Sequence, residues 1–264
     1  MASYCEARSK SAGWLLRIDD IDRPRSVEGS AQSIRQTLQH YEIKWDGEIQ
    51  WQSEHDSRYR KALAQLINLG LVYRCNCSRK SLRDYPVYPG NCTENKVLDS
   101  SAPVGDYALR LAMPPRITYN DAIQGPQVVE INNEIGDIII WRRDGLVSYS
   151  LACAIDDANS CTEVVRGADL LPSTAAQIAI MNYLNLPVPK YAHIPVALDG
   201  NNDKISKHSK AKAIDDMARL PTLQRAWQFL GQAPVDARDV SDFWAEATRS
   251  WTIERVPAKR HMAQ

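Results

Sequence analysis

Arg17-Ile18-Asp19-Asp20-Ile21-Asp22-Arg23-Pro24-Arg25 packs three carboxylates and three guanidiniums into nine residues. The run follows Trp14-Leu15-Leu16, and residues 14–18 read as a buried strand. Ligands of open α/β sheets collect at the carboxyl ends of strands. A carboxylate there can hold a substrate ammonium, and arginines can meet phosphate or carboxylate. A D-x-D-like metal site of a glycosyltransferase or nuclease is a rival reading. A solvated turn held by weak local ion pairs is a third.

Cys75, Cys77 and Cys92 lie within eighteen residues, with Tyr88-Pro89-Gly90 just before the last. Three thiolates can supply three of the four tetrahedral ligands of Zn²⁺. No histidine lies between them, and Tyr88 and Asp84 are the oxygen candidates for the fourth place. Ordinary reduced cysteines are the alternative. Cys5, Cys153 and Cys161 are scattered among apolar or small neighbours and read as buried, inert thiols.

Further on, Lys204-Ile205-Ser206-Lys207-His208-Ser209-Lys210-Ala211-Lys212 follows a dense turn signal. Clustered ammonium groups on a loop suit the developing charge of phosphoryl or nucleotidyl transfer, unless the loop is merely solvated. Between these stretches, Arg142-Arg143-Asp144-Gly145 reads as a tight turn, and Tyr149 opens a helix whose far end carries Asp156-Asp157. Arg166-Gly167-Ala168-Asp169 follows a strand. There Gly167 allows close backbone approach to a ligand, and Arg166 can fork onto a carboxylate.

The elements that must position these groups alternate between helix and strand. Ala31, Ile34, Leu38 and Tyr41 share one helical face, and Tyr59, Leu63, Leu66 and Ile67 share another before Gly70. The stretch after Cys75 is rich in turn residues and reads as an insertion. Residues 107–142 are strand-like. A helix over 148–155, a strand over 162–165, a helix over 173–184 and a strand over 193–198 follow. A helical tail carries Trp227, Phe229, Leu230, Phe243 and Trp244. This alternation predicts an α/β sheet.

Composition excludes several classes. Of 264 residues, 44% are hydrophobic and 24% charged, which excludes a disordered or fibrous chain. Lys plus Arg and Asp plus Glu are 32 each, so a globally basic nucleic-acid coat is excluded and a local patch is not. No secretory signal is visible. The apolar run Ile138-Ile139-Ile140-Trp141 is too short to span a bilayer. The expectation is a cytoplasmic protein, monomeric and with no membrane partner.

In combination, the motifs resemble the glutamyl-tRNA synthetase branch of the class I aminoacyl-tRNA synthetases. They run in order: R-I-D-D-I-D-R-P-R, W-D-G with Trp51-Gln52-Ser53, R-R-D-G with Tyr149, V-R-G-A-D, and K-I-S-K-H, which is similar to a KMSKS-type ATP loop. Within the branch, the closer resemblance is to the glutamyl-Q tRNA(Asp) synthetase family, which lacks an anticodon-binding domain. Only 56 residues follow His208 here, too few for one. That family's zinc pattern, C-x-C then Y-x-x-x-C, matches Cys75, Cys77, Tyr88 and Cys92.

The resemblance implies a Rossmann-like parallel sheet with a zinc-containing insertion and a helical C-terminal tail. It divides the chain into residues 1–74, the first part of the nucleotide-binding domain; 75–106, the zinc insertion; 107–212, the rest of the catalytic domain with an acceptor-side insertion and the K-x-S-K loop; and 213–264, the tail. It implies ATP with Mg²⁺ and glutamate as substrates, structural zinc, and tRNA(Asp) bearing queuosine as partner. Lys207 takes the ATP-contacting lysine's place and Lys204 stands beside it. Tyr149 and Arg166 match glutamate-binding positions, and Asp19 falls where the family has a glutamate-binding Glu.

Two departures follow. Asp is one methylene shorter than Glu, which shortens its reach by roughly 1.5 Å. Nothing in Met1 to Gly13 matches the family's first strand or its HIGH-type ATP turn; Ala2-Ser3-Tyr4 and Ala7-Arg8 resemble the helix that follows that turn. The expectation is an opening about thirty residues short, without the first strand. Two alternatives accompany this reading: an inactive tRNA-binding remnant, or a short enzyme charging tRNA(Glu).

Overall fold

The computed structural model describes residues 1–22, 29–97, 107–200, 204–205 and 218–263. In chain order the elements are α1 (Ala2–Ser9), β1 (Arg17–Ile18), α2 (Ser30–His40), β2 (Gln50–Trp51), α3 (Asp56–Asn68), β3 (Val72–Cys75), β4 (Ala108–Leu111), β5 (Arg116–Asp121) and β6 (Gly125–Glu130). There follow α4 (Ile131–Glu134), β7 (Ile138–Trp141), α5 (Tyr149–Ser160), β8 (Glu163–Gly167), α6 (Leu171–Tyr183), β9 (Lys190–Ile194), β10 (Val196–Leu198), α7 (Arg219–Phe229), α8 (Val240–Ser250) and β11 (His261–Ala263).

The expected α/β alternation is present, and so is parallel pairing. β1 pairs β2, β8 pairs β9, β5 pairs β9 and β10 pairs β11, all in parallel. β6 extends the β5–β9–β8 sheet antiparallel, and β3–β4–β7 form a separate antiparallel sheet.

Two sequence expectations are corrected. Residues 14–18 form a strand only at Arg17 and Ile18, and Leu15 is exposed. The Trp14 backbone N–H donates to the Asp46 side chain instead of a neighbouring strand, so the ladder starts late. Residues 193–198 do not form one strand. Pro195 has no N–H to give a ladder, and the chain switches there from pairing β8 to pairing β11.

The main core packs α3 and α5 against β3, β4 and β7. Leu63, Leu66, Leu109, Leu111, Ile140, Trp141 and Leu151 are buried there. α3 presents Tyr59, Ala62, Leu63, Leu66 and Ile67 on one face and stops before Gly70, whose φ of 71° suits a residue without Cβ. Ser148 caps α5 by accepting the Leu151 N–H at 3.3 Å, which fixes where the Tyr149 end of the helix points.

A second core joins the two ends of the chain. Tyr4 and Cys5 of α1 pack with Trp227, Phe243, Trp244 and Trp251. The Trp244 indole donates to the Tyr41 carbonyl at 2.7 Å. Cys5 is fully buried, as expected, whereas Cys161 is only partly covered.

Candidate active site and thiolate cluster

The carboxylates of the acidic opening diverge. Asp19 accepts from Arg17 Nε at 2.7 Å. Asp20 accepts from the Ser53 N–H and hydroxyl at 2.8 and 2.6 Å, which ties the opening to the turn before α3. Asp22 pairs with Arg142 at 3.1 Å. With each acid on a different partner, the D-x-D metal reading has no converging pair. Arg23 and Arg25 lie outside the described residues.

Asp19 and Tyr149 line one cavity of about 750 Å³, together with Gln52, Arg79, Arg142 and Asp144. Tyr149 is 40% exposed at its mouth. Crowding by protein and the nearby Cys153 push its phenol pKa up, and the Arg166 guanidinium pulls it down, so these groups share one field. Behind them Arg17 reaches Asp157 Oδ1 at 2.5 Å and Cys153 Sγ at 3.5 Å. Burial raises the Asp157 carboxyl pKa; Arg17 and then Arg166 oppose it, while Asp19 adds to it. Asp19 and Tyr149 thus share the cavity, and Arg166 lies within electrostatic reach of Tyr149 without lining the cavity itself.

Arg166 sits in β8 with its guanidinium 5.2 Å from the Tyr191 ring. It donates to Thr174 Oγ1 at 2.6 Å, Gln177 Oε1 at 2.8 Å and His193 Nε2 at 3.2 Å. Sequence reasoning missed Arg17, Asp157 and the Thr174, Gln177 and His193 set. Arg17 and Asp157 stood in singled-out runs and had a charge signal. A lone histidine in a strand and polar residues on a buried helix had none.

Lys204 Nζ meets Asp169 Oδ2 at 2.5 Å, which ties Lys204 to the turn just after the strand that carries Arg166. Lys207 lies outside the described residues. The close approach expected at Gly167 is made by the protein itself: a Cβ there would fall 2.5 Å from Asp169 Oδ1.

At the end of β3, the sulfurs of Cys75, Cys77 and Cys92 lie within 4.8 Å of one another, the one such metal-capable group among the described residues. Cys77 and Cys92 are 3.6 Å apart, and Tyr88 Oη is 3.6 Å from Cys75 Sγ. Zn–S bonds of about 2.3 Å in a tetrahedron place sulfurs about 3.8 Å apart, so the donor set fits zinc. Asp84, the other oxygen candidate, is not in the group. Arg110, 7% exposed, donates to Cys75 Sγ at 3.3 Å and stacks 3.6 Å from the Tyr88 ring centre. Burial raises the Cys75 thiol pKa, but the Arg110 and Tyr88 hydrogen bonds outweigh it and bring it to about 7. Burial and the neighbouring sulfurs push Cys77 up to about 11.

Comparisons with known proteins bear on the fold and the family. Residues 1–226 match the family model described as tRNA synthetases class I (E and Q), catalytic domain. The fold is similar to a glutamate-tRNA synthetase structure from Elizabethkingia anophelis, with TM-score 0.80 and 21% identity, covering 100% of this chain and 63% of that one. A glutamate tRNA ligase from Elizabethkingia meningosepticum in complex with its amino acid gives 0.78 and 21%, covering 97% and 61%. The chain thus spans less than two thirds of either solved structure. These features define a class I aminoacyl-tRNA synthetase catalytic fold.

The more similar relatives narrow the class. The glutamyl-Q tRNA(Asp) synthetase of Ectopseudomonas mendocina is 37% identical over 271 residues, covering 100% of this chain and 90% of that protein. That of Chromobacterium violaceum is 38% identical over 270 residues, covering 98% and 89%. The chain belongs to the glutamyl-Q tRNA(Asp) synthetase family.

Proposed function

We propose that the protein activates glutamate with ATP and passes the glutamyl group to queuosine in the anticodon loop of tRNA(Asp). The observation that carries this reading is that Asp19 and Tyr149 line one open cavity, with the Arg166 guanidinium close enough to act on the Tyr149 phenol. An acid and an arginine set apart there suit an amino acid with a second carboxylate. Arg166 meets the substrate carboxylate, Asp19 the ammonium, and Tyr149 hydrogen-bonds between them. The substrate's α-carboxylate oxygen attacks the α-phosphorus of ATP, and pyrophosphate leaves. A hydroxyl of the queuosine cyclopentenediol then attacks the adenylate carbonyl, loses its proton and releases AMP. Lys207 and Lys204 stabilise the phosphate charge, and Mg²⁺ accompanies ATP as part of the substrate.

Zinc is held by Cys75, Cys77, Tyr88 and Cys92 and is structural. All four positions are taken by protein, so none is open for a reactive water.

A local basic surface supports an RNA partner on a chain of zero net charge. Arg79, Lys80 and Arg83 fall on one exposed turn beside the thiolates, and no ion pair engages them among the described residues. Tyr85, 51% exposed, follows and offers a stacking face. Arg79 lines the Asp19–Tyr149 cavity, so RNA held on this turn lies at its mouth. The test of activation is ATP–pyrophosphate exchange with each amino acid in turn. Exchange with glutamate alone supports the proposal; exchange with glutamine or with no amino acid contradicts it.

A further inference from the structure

β8 and β9 run parallel in a register that sets His193 directly beside Arg166. β5 lies on the other side of β9 and ends at Asp121. His193 and Asp121 are 0% and 1% exposed. His193 Nδ1 is 2.5 Å from Asp121 Oδ2, and Nε2 lies 3.2 Å from Arg166 Nε.

The chemistry of the partners settles the tautomer. Arginine only donates. Nε2 must therefore carry a lone pair, and the ring proton sits on Nδ1, donated to Asp121. The Asp121 carboxylate is equally constrained. Its Oδ1 accepts the backbone N–H groups of Ile123, Gln124 and His193 at 3.0, 2.9 and 3.1 Å, which leaves Oδ2 for the ring. Burial raises the Asp121 pKa, but these hydrogen bonds outweigh it and keep the group an anion.

α6 fixes the other edge of the guanidinium. Arg166 Nη2 donates to both Thr174 and Gln177. Three of its five N–H donors are thus occupied in holding the group still. Among the described residues, Nη1 has no protein partner.

We propose that Asp121 and His193 are positioning residues: Asp121 holds His193 in the Nδ1–H tautomer, and the unprotonated Nε2, which Thr174 Oγ1 also meets at 3.0 Å, orients Arg166 so that Nη1 faces the substrate carboxylate. The proposal rests on the reading of Arg166 as a glutamate-binding group. A buried tautomer lock of this kind acts on substrate affinity through a group that touches the substrate.

Asp121→Asn is the diagnostic change. Three backbone donors keep the amide oxygen in the place of Oδ1, so the amide NH₂ faces His193 Nδ1. The ring must then accept there and carry its proton on Nε2, donor against donor with Arg166. Two readouts follow: the nitrogen resonances of histidine-labelled protein, and the calorimetric Kd for glutamate. The expected native state has Nδ1 protonated and Nε2 bare. In Asp121→Asn the two are exchanged, with glutamate Kd up about tenfold, the size of one lost hydrogen bond to a charged group. Arg166→Lys should weaken glutamate at least as much.

A native Nε2–H tautomer overturns the proposal. So does an Asp121→Asn protein with the exchanged tautomer and an unchanged Kd. If Asp121→Asn does not fold, Gln177→Leu removes an Arg166 anchor without touching the Asp121–His193 pair. It should raise Kd about tenfold, and an unchanged value contradicts the proposal. Failure of the glutamate reading looks different: the native tautomer is as expected, but Arg166→Lys leaves glutamate binding unchanged or the native protein does not bind it.

Discussion

Arg166 and Asp19 carry opposite charges and opposite degrees of restraint. Arg166 is braced by three side chains, so replacing it with Lys removes the planar fork as well as its anchors. Arg166→Lys should raise KM for glutamate in pyrophosphate exchange at least tenfold, with a smaller change in KM for ATP. Asp19, by contrast, pairs among the described residues with Arg17 alone, at 2.7 Å, and is partly exposed. Asp19→Glu, one methylene longer, should lower KM for glutamate severalfold; an increase would show that the shorter acid is the fitted one. The roles proposed for Tyr149 and Arg166 come from the family resemblance; a tyrosine opening a helix and an arginine at a strand end do not by themselves point to glutamate. His193 was not legible. Its partner Asp121 is 72 residues away, and only strand register brings them together.

At the scale of elements, the thiolate turn and the parallel strand ends do separate work. With zinc in the proposed site, three thiolates and the ion would carry a net charge of −1, which the Arg110 guanidinium at Cys75 would cancel. Purified protein should hold about one equivalent of zinc, and Arg110→Gln should lose it to a chelator at least tenfold faster. Less than half an equivalent in metal-free preparation contradicts the site. Lys80→Ala with Arg83→Ala should leave glutamate-dependent exchange unchanged and weaken tRNA binding. The log–log salt slope of tRNA binding should become shallower by about 0.7 for each phosphate no longer neutralised; an unchanged slope places the RNA elsewhere. The irregular, turn-rich run over 76–95 was readable from its turn residues, and the cysteine spacing anticipated the sulfur cluster. The break between β9 and β10 was readable in principle from Pro195, but periodicity alone ran the two strands together.

At the scale of the whole molecule, the ends of the chain share a core. α8 buries Val240, Phe243, Trp244 and Ala247 on one face, and the Trp251 indole donates to the buried Glu6 of α1. β11 then pairs β10, just before the lysine loop. A sequence reading of 213–264 as a helical tail sees the amphipathic helices and not this return, because a three-residue strand has no periodicity to detect. Phe243→Ala empties a fully buried site and should cost about 3–5 kcal/mol by urea unfolding. Asp121 adds an acid-side dependence. Its carboxyl is held below the ordinary value, so its stabilisation is present above that value and is lost as pH falls through the lower folded one. Asp121→Asn should remove that part of the acid limb.

The most direct test is transfer of labelled glutamate in the presence of ATP to three RNAs: tRNA(Asp) with queuosine, tRNA(Asp) without it, and tRNA(Glu). Label is expected on queuosine-containing tRNA(Asp) alone, retained when the acceptor end is removed. Label on tRNA(Glu), or no label on any of the three, contradicts the proposed function.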